Sequence, residues 1–304
     1  MKKLLSWLVR ESEGVSFTDN LLLFFLKILY FGLQILLTIV LGKNRRDRLY
    51  VERELDFGVF LYKFFKTMRK GNVSKPLKFH VPKYGYEFYC RLNEDDFKLI
   101  SLHEDEILDQ FNPKPGNTVV DVGAHIGLYT LIAAKRVGPS GKVIAIEPGP
   151  ENFKILKKNI LLNKLSNVES LECAVYSTKE KFKLFLPELE GRTMFNTVMQ
   201  DRARTSNNFL EVEANTLDNI IESINITEVN WIKIDVEGAE LEVLKGAVNT
   251  LSSNEDLTLL IEVHGDANYK PILKILKEYK FQIIYENKYY PSNDRHIIAK
   301  LNRI

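Results

Sequence analysis

From Thr118 onward, short and almost wholly apolar runs alternate with helical stretches, and this alternation restricts the fold more than any other feature of the chain. The segments follow one another as Thr118–Val122, Tyr129–Val137, Lys142–Ile146, Glu151–Asn163, Val168–Tyr176, Leu217–Ile224, Trp231–Ile234, Leu241–Leu251, Leu257–Glu262 and Lys270–Tyr279. Phe281–Tyr285 and His296–Leu301 read as a closing antiparallel pair. Strands that are apolar along their whole length are buried on both faces, as in parallel sheets covered by helices. The pattern therefore predicts an α/β fold with a mostly parallel sheet. Such sheets bind ligands beyond the carboxyl ends of their strands, so chemistry is to be sought there. Ahead of this region, KFHV and YEFYCRL flank Pro82-Lys83-Tyr84-Gly85 as a β-hairpin, and Asp95–Phe111 has helical spacing.

The first quarter reads differently. Residues 1–76 carry 14 Lys/Arg against 7 Asp/Glu, while the remaining residues carry 28 against 33. A basic appendage on a slightly acidic body excludes a whole-domain nucleic-acid binder, which needs a basic excess throughout. Leu21 to Gly42 is a 22-residue run with sixteen Leu, Ile, Val and Phe residues. As a helix it would be about 33 Å long, enough for a hydrocarbon core of about 30 Å. Insertion is favoured by about 5–10 kcal/mol, of which Lys27 takes back at most about 3 kcal/mol. Lys27, Tyr30, Gln34 and Thr38 share one helical face, which also suits a helix lying in the interface. The denser basic cluster after the run (Lys43, Arg45, Arg46, Arg48, Arg53) predicts a cytoplasmic body. Glu52–Lys70 has the spacing of a basic amphipathic helix, suited to an anionic membrane surface or to packing on the body. These features divide the chain into a helical, membrane-associated region over 1–76 and a second domain over 77–304. Two cysteines, Cys90 and Cys173, make neither a disulfide framework nor a zinc site.

Three strand ends carry polar residues. The first, Asp121-Val122-Gly123-Ala124-His125-Ile126-Gly127, turns from strand to helix, and its glycines would let backbone approach a ligand. The second ends in Glu147-Pro148, where a carboxylate can accept bonds from both hydroxyls of a ribose. Nicotinamide enzymes use such an acid too, but their loop is G-x-G-x-x-G, and Asp121 would oppose a pyrophosphate. The two acids suit the cationic methyl donor S-adenosylmethionine better. The third end delivers Asp235 and Glu237, with Glu240 in the first turn of the next helix, where an acid complements the dipole. A helix cap is the plainer role for Asp235.

At these residues the chain resembles the FkbM family of S-adenosylmethionine-dependent methyltransferases. The resemblance runs from about Asp95 to Leu301 and rests on D-V-G-A-H-I-G at 121–127, I-E-P at 146–148, T-L-D at 216–218, I-D-V-E-G-A-E at 234–240 and E-V-H-G at 262–265. It implies a class I methyltransferase, Rossmann-like fold and O-methylation of a sugar or other small metabolite. It further implies that Asp121, Gly123, Ala124 and Gly127 form the donor loop, that Glu147 and Pro148 lie at the ribose, and that Cys173-Ala174 borders the adenine.

Methyl transfer to a hydroxyl gains from a positioned base, by roughly 10²–10⁴-fold. The candidates are Asp235, Glu237 and His264, with His125 behind them; a histidine bonded to backbone is the plainer role for His264. Asp235, Glu262 and His264 are types that bind metals, but nothing in their spacing demands an ion, and no metal is expected. The Asp/Asn-Pro-Pro-aromatic run of enzymes that methylate base nitrogens is missing after Ile234, which argues against a nucleic-acid base as acceptor. The loop Pro187–Asn208 is expected on the acceptor side, with Arg192, Arg202 and Arg204 available to an anionic group. The leading expectation is an O-methyltransferase at the cytoplasmic membrane face, acting on a glycan, a lipid-linked sugar or a lipid headgroup. A nicotinamide-dependent oxidoreductase and a membrane-tethered, inactive binding module of the same fold are the alternatives.

Overall fold

The computed structural model describes residues 77–81, 85–91, 96, 105–186, 208–288 and 294–302. The apolar run Leu21–Gly42, the basic segment Glu52–Lys70 and the three loop arginines Arg192, Arg202 and Arg204 lie outside the described residues. Among the described residues no helix is long and apolar enough to cross a membrane. The chain divides into two compact units, 1–104 and 105–304. The hairpin, placed by the sequence reading at the start of the second domain, therefore groups with the first unit.

In the first unit β1 (Leu77–Val81) pairs antiparallel with β2 (Tyr86–Cys90), Leu77 opposite Cys90. Just beyond it, the Arg91 guanidinium grips the buried Asp96 carboxylate through Nε and Nη2 at 3.0 and 2.8 Å. This fork geometry gives the ion pair direction as well as charge.

The second unit opens with α1 (Asp105–Gln110), then β3 (Thr118–Val122), α2 (Leu128–Val137), β4 (Lys142–Ile146), α3 (Pro150–Leu162) and β5 (Val168–Leu171). After a small sheet come α4 (Leu217–Ser223), β9 (Trp231–Ile234), α5 (Glu240–Lys245), α6 (Val248–Ser253), β10 (Thr258–Val263), α7 (Asp266–Glu278), β11 (Phe281–Lys288) and β12 (Arg295–Leu301). The main sheet has the order β11-β12-β10-β9-β3-β4-β5. All neighbouring pairs from β5 to β10 are parallel, and β12 enters antiparallel to both β10 and β11. This is the expected class I methyltransferase, Rossmann-like architecture. The chain runs outward from β3 to β5 and then returns to the other side of β3 with β9. The strand order thus reverses at β3 and β9, and it is beyond the carboxyl ends of strands at such a reversal that sheets of this kind bind ligands.

The apolar strands form because both faces are covered: Val119, Val120, Ile144, Ile146, Ile232, Ile234, Leu259 and Ile261 are buried. Helix α2 is buried at eight of its ten residues, and α3 begins at Pro150, whose fixed φ suits the first helical position. Phe111 stands edge-on to both Tyr129 and Trp231, at 5.3 and 5.2 Å between ring centres, tying the segment after α1 to α2 and β9.

Two expected elements divide. Val168–Tyr176 is not one strand: its last residues form β6 (Ala174–Val175), which leaves the main sheet. β6 joins β7 (Glu180–Phe185) and β8 (Phe209–Asn215) in a sheet of order β6-β8-β7. Leu241–Leu251 likewise divides at Gly246-Ala247 into α5 and α6. The T-L-D run is scaffold. Thr216 Oγ1 accepts from Asn219 N at the start of α4, and the Asp218 carboxylate accepts from Asn249 N, Thr250 N and Thr250 Oγ1 at the start of α6.

Candidate active site

The loop after β3 is shaped by contacts inside the protein. At Gly123 (φ +79°) a Cβ would lie 1.8 Å from the Asp235 carbonyl oxygen, so the turn after β3 and the end of β9 touch through backbone. At Gly127 (φ +100°) a Cβ would meet Leu156 Cδ1 at 2.7 Å, where α2 packs on α3. Sequence reasoning assigned these glycines to ligand approach, but the first constraint on each is this close packing. Gly123 N and Ala124 N both donate to Ile146 O, which locks the loop onto β4.

Glu147 stands at the end of β4 as expected. Its Oε2 accepts from His125 N at 2.9 Å, and its Oε1 accepts from Gly149 N at 2.9 Å and Asn152 Nδ2 at 3.1 Å. Burial raises its pKa, with those three bonds and Lys233 opposing. Pro148 follows it into the turn before α3. Asp121 is equally enclosed: Oδ2 accepts from Thr130 Oγ1 at 2.5 Å, and Oδ1 makes no hydrogen bond but faces Lys233 Nζ at 3.5 Å. Two buried acids at adjacent strand ends, one with an acceptor oxygen left over, fit a ligand that carries hydroxyls and positive charge. They do not fit a pyrophosphate.

Ala174, expected together with Cys173 to border the adenine, packs its side chain with Leu184, Val212 and Ala214 in the small sheet. The Cys173 side chain beside it is partly open. Burial pushes the Cys173 thiol up to about 11.

Lys233 escaped the sequence reading. It lies directly across from Asp121 in the β3–β9 register, and its side chain is 6% exposed. Its Nζ donates to Gly123 O at 2.9 Å, stands 3.2 Å from Asp235 Oδ2, and lies 5.3 Å from the centre of the Tyr129 ring. One buried cation thus joins Asp121, before the loop after β3, to Asp235 at the end of β9. The signal was present: a lysine in a strand that is otherwise apolar needs a buried partner.

Beyond β9 and β10 the structure brings Asp235, Glu237 and His264 together. One ligand atom from each lies within 4.8 Å of the others. Asp235 is 24% exposed, whereas the His264 side chain is 5% exposed. Glu237 takes a positive φ of 54°, a conformation costing about 1 kcal/mol or more for a residue with a side chain. Glu240, at the start of α5, does more than complement a dipole. Its Oε1 accepts from Gly238 N at 2.7 Å and meets His264 Nδ1 at 2.8 Å, and its Oε2 accepts from Asn268 Nδ2 at 3.3 Å.

His264 Nε2 faces Glu237 Oε2 at 3.5 Å, Glu262 Oε1 at 3.8 Å and Asp235 Oδ1 at 3.9 Å. Burial alone would push the His264 imidazole down, but Glu237, Glu240 and Glu262 lift it well above the ordinary histidine range. Burial lifts the Asp235 carboxyl and Glu262 adds to this, while Lys233 and His264 pull it down; the outcome is a raised pKa. Glu262 is the opposite case. Burial raises it, but His296, bonded at 3.1 Å, together with His264 and Lys233 brings it down to about 2. His125, the remaining candidate base, lies in the loop after β3, where its backbone N–H donates to Glu147.

A family profile described as "Methyltransferase FkbM domain" matches residues 121–283. Among curated proteins, the chain is 29% identical to methyltransferase sdnD of Sordaria araneosa, over 50% of this chain and 69% of that protein. It is 25% identical to the hexuronic acid methyltransferase AglP of Haloferax volcanii, over 70% of this chain and 85% of that one. It is also 25% identical to the 31-O-demethyl-FK506 methyltransferase FkbM of Streptomyces tacrolimicus, over 57% and 75% respectively.

Proposed function

The chain belongs to the FkbM methyltransferase family, with S-adenosylmethionine as its methyl donor, and from that premise we propose that it methylates a hydroxyl of a sugar, glycan or lipid-linked metabolite at the cytoplasmic membrane face. The observation that carries the hydroxyl assignment is the Asp235–Glu237–His264 cluster, one backbone contact away from the donor loop at Gly123. The donor supplies a methyl carbon made electrophilic by its sulfonium. The protein's part is to hold the acceptor oxygen in line about 3 Å from that carbon. As the new C–O bond forms, the C–S bond breaks with its electron pair going to sulfur, and the hydroxyl proton passes to a base. Asp235 is suited to that step: its carboxyl is partly open, at the rim, and has a raised pKa. Glu237 accepts hydrogen bonds from neighbouring hydroxyls, which a sugar offers in pairs. The hexuronic acid named for one relative supports a saccharide acceptor.

The membrane placement is supported by the sequence of 21–42 and its basic flank. Acceptors held in the same bilayer are met at a raised local concentration. Nicotinamide chemistry is set aside by family membership and by the enclosed acids at the donor loop.

The test is transfer of a labelled methyl group by the full-length chain to lipid-linked sugars in vesicles, soluble glycans and free uronic acids. An alkali-stable methyl ether on a hydroxyl is the expected product. An alkali-labile ester or an N-methyl product contradicts the hydroxyl assignment. Equal turnover of soluble and vesicle-bound acceptors contradicts the membrane placement. Donor binding with no transfer to any acceptor favours the inactive binding module.

A further inference from the structure

The acidic cluster beyond β9 and β10 is unlike an ordinary surface group of carboxylates because a buried histidine points into it. Among the described residues, Nε2 of His264 makes no hydrogen bond, and its three carboxylate neighbours stand at 3.5–3.9 Å, at or beyond the limit for one. The ring's other nitrogen is committed. Glu240 Oε1 is an acceptor, so Nδ1 keeps its proton and donates to it, and a cation at Nε2 would take the place of the second ring proton that the surrounding carboxylates otherwise favour. A histidine held through one nitrogen by a buried carboxylate, with the other aimed at further carboxylates, is the arrangement that orients metal-binding imidazoles.

We infer that Asp235, Glu237 and His264 bind a divalent cation through Asp235 Oδ1, Glu237 Oε2 and His264 Nε2, with Glu240 as the positioning residue. One ligand atom from each residue lies within 4.8 Å of the others, and His264 Nε2 stands 3.5 Å from Glu237 Oε2 and 3.9 Å from Asp235 Oδ1. Ligands about 2.1 Å from an octahedral ion stand about 3.0 Å apart when adjacent and about 4.2 Å when opposite, so the set needs only a small contraction. Asp235 turns its second oxygen to Lys233, and Glu262 turns its second oxygen to His296, so one oxygen of each faces the cluster. Two carboxylate oxygens and one imidazole suit Mn²⁺, Fe²⁺ or Zn²⁺ better than Ca²⁺, and leave positions open for an acceptor. With the ion bound, Asp235 and Glu237 would serve as its ligands in place of the base and hydroxyl-binding roles given above, and the ion would hold the acceptor hydroxyl and lower its pKa; that role rests on the hydroxyl assignment, whereas the site itself does not. The sequence reading expected no metal, because the spacing of these residues along the chain does not reveal that Glu237 and His264 converge.

The experiment uses the full-length chain stripped with EDTA and titrated with Mn²⁺, following free ion by electron paramagnetic resonance. One saturable site per chain is expected, with spin-echo modulation from a single imidazole nitrogen. His264→Ala and Glu237→Gln should weaken binding at least about tenfold, and Glu240→Gln by about 10–100-fold without supplying a ligand. Donor binding measured in EDTA shows that each variant is folded. Absence of a site in the wild-type chain, a bound ion with no nitrogen coupling, or wild-type affinity retained in both His264→Ala and Glu237→Gln overturns the inference. If the donor binds and Mn²⁺ does not, the cation site fails alone. If Mn²⁺ binds with nitrogen coupling and no hydroxyl is methylated, the acceptor assignment fails alone.

Discussion

At the ends of β3 and β4 the acids are wrapped by donors, whereas at the ends of β9 and β10 they face one another across a histidine. Glu147 accepts three hydrogen bonds, two of them from backbone, and Asp121 accepts one from Thr130 beside the Lys233 cation. Asp235, Glu237 and Glu262 instead surround His264 Nε2 without hydrogen-bonding it, and Glu237 holds a positive φ to be there. The first half is finished by the protein itself, so its geometry is set before any ligand arrives. The second half concentrates negative charge and backbone strain, a combination that persists where it serves chemistry. Lys233 is a buried side chain that contacts both halves.

If that division is real, the two halves should fail differently. Asp235→Asn should lower kcat by about 10²–10⁴-fold, the span lost with a general base, in single-turnover methyl transfer. A loss confined to KM would place Asp235 in acceptor binding instead. Lys233→Met leaves Asp121 buried without its counter-charge and should cost about 3–5 kcal/mol in urea unfolding. Adding Asp121→Asn should recover part of that loss, and purely additive costs would break the assigned link between the halves. Glu147→Ala strands the N–H groups of His125 and Gly149 and should weaken donor binding about 100-fold by calorimetry.

The smallest effect concerns Cys173, next to the donor half. With its thiol near 11, the ionised fraction at pH 8 is about one in a thousand, because burial disfavours the anion. Alkylation should therefore be slow at pH 8 and rise about tenfold per pH unit up to pH 10. A rate that levels off near pH 9 would show the thiol to be less enclosed than the structure has it.

Much of this was legible along the chain, because the main strands carry their burial in consecutive residues and the acids stand where those strands end. Asp121, Glu147, Asp235 and Glu237 were recognisable for that reason. Lys233 was not, since its partner is set by the β3–β9 register, 112 residues apart for Asp121. Glu240 was read only through the helix it begins, while its main partner, His264, lies on the next strand connection. The small sheet was hidden for another reason. β6 has two residues, and β7 reads Glu-Lys-Phe-Lys-Leu-Phe, with charges on its exposed positions and little apolar signal. Ala174 belongs to it, since the chain after β5 turns away from the main sheet to pair with β8.

The most direct test of the two-halves account is donor binding to the full-length chain by calorimetry, comparing wild type, Glu147→Ala and Asp235→Asn. The account predicts saturable S-adenosylmethionine binding that Glu147→Ala weakens about 100-fold and Asp235→Asn leaves unchanged within about threefold. Equal loss in both variants would contradict it, because a single undivided site would then hold the donor.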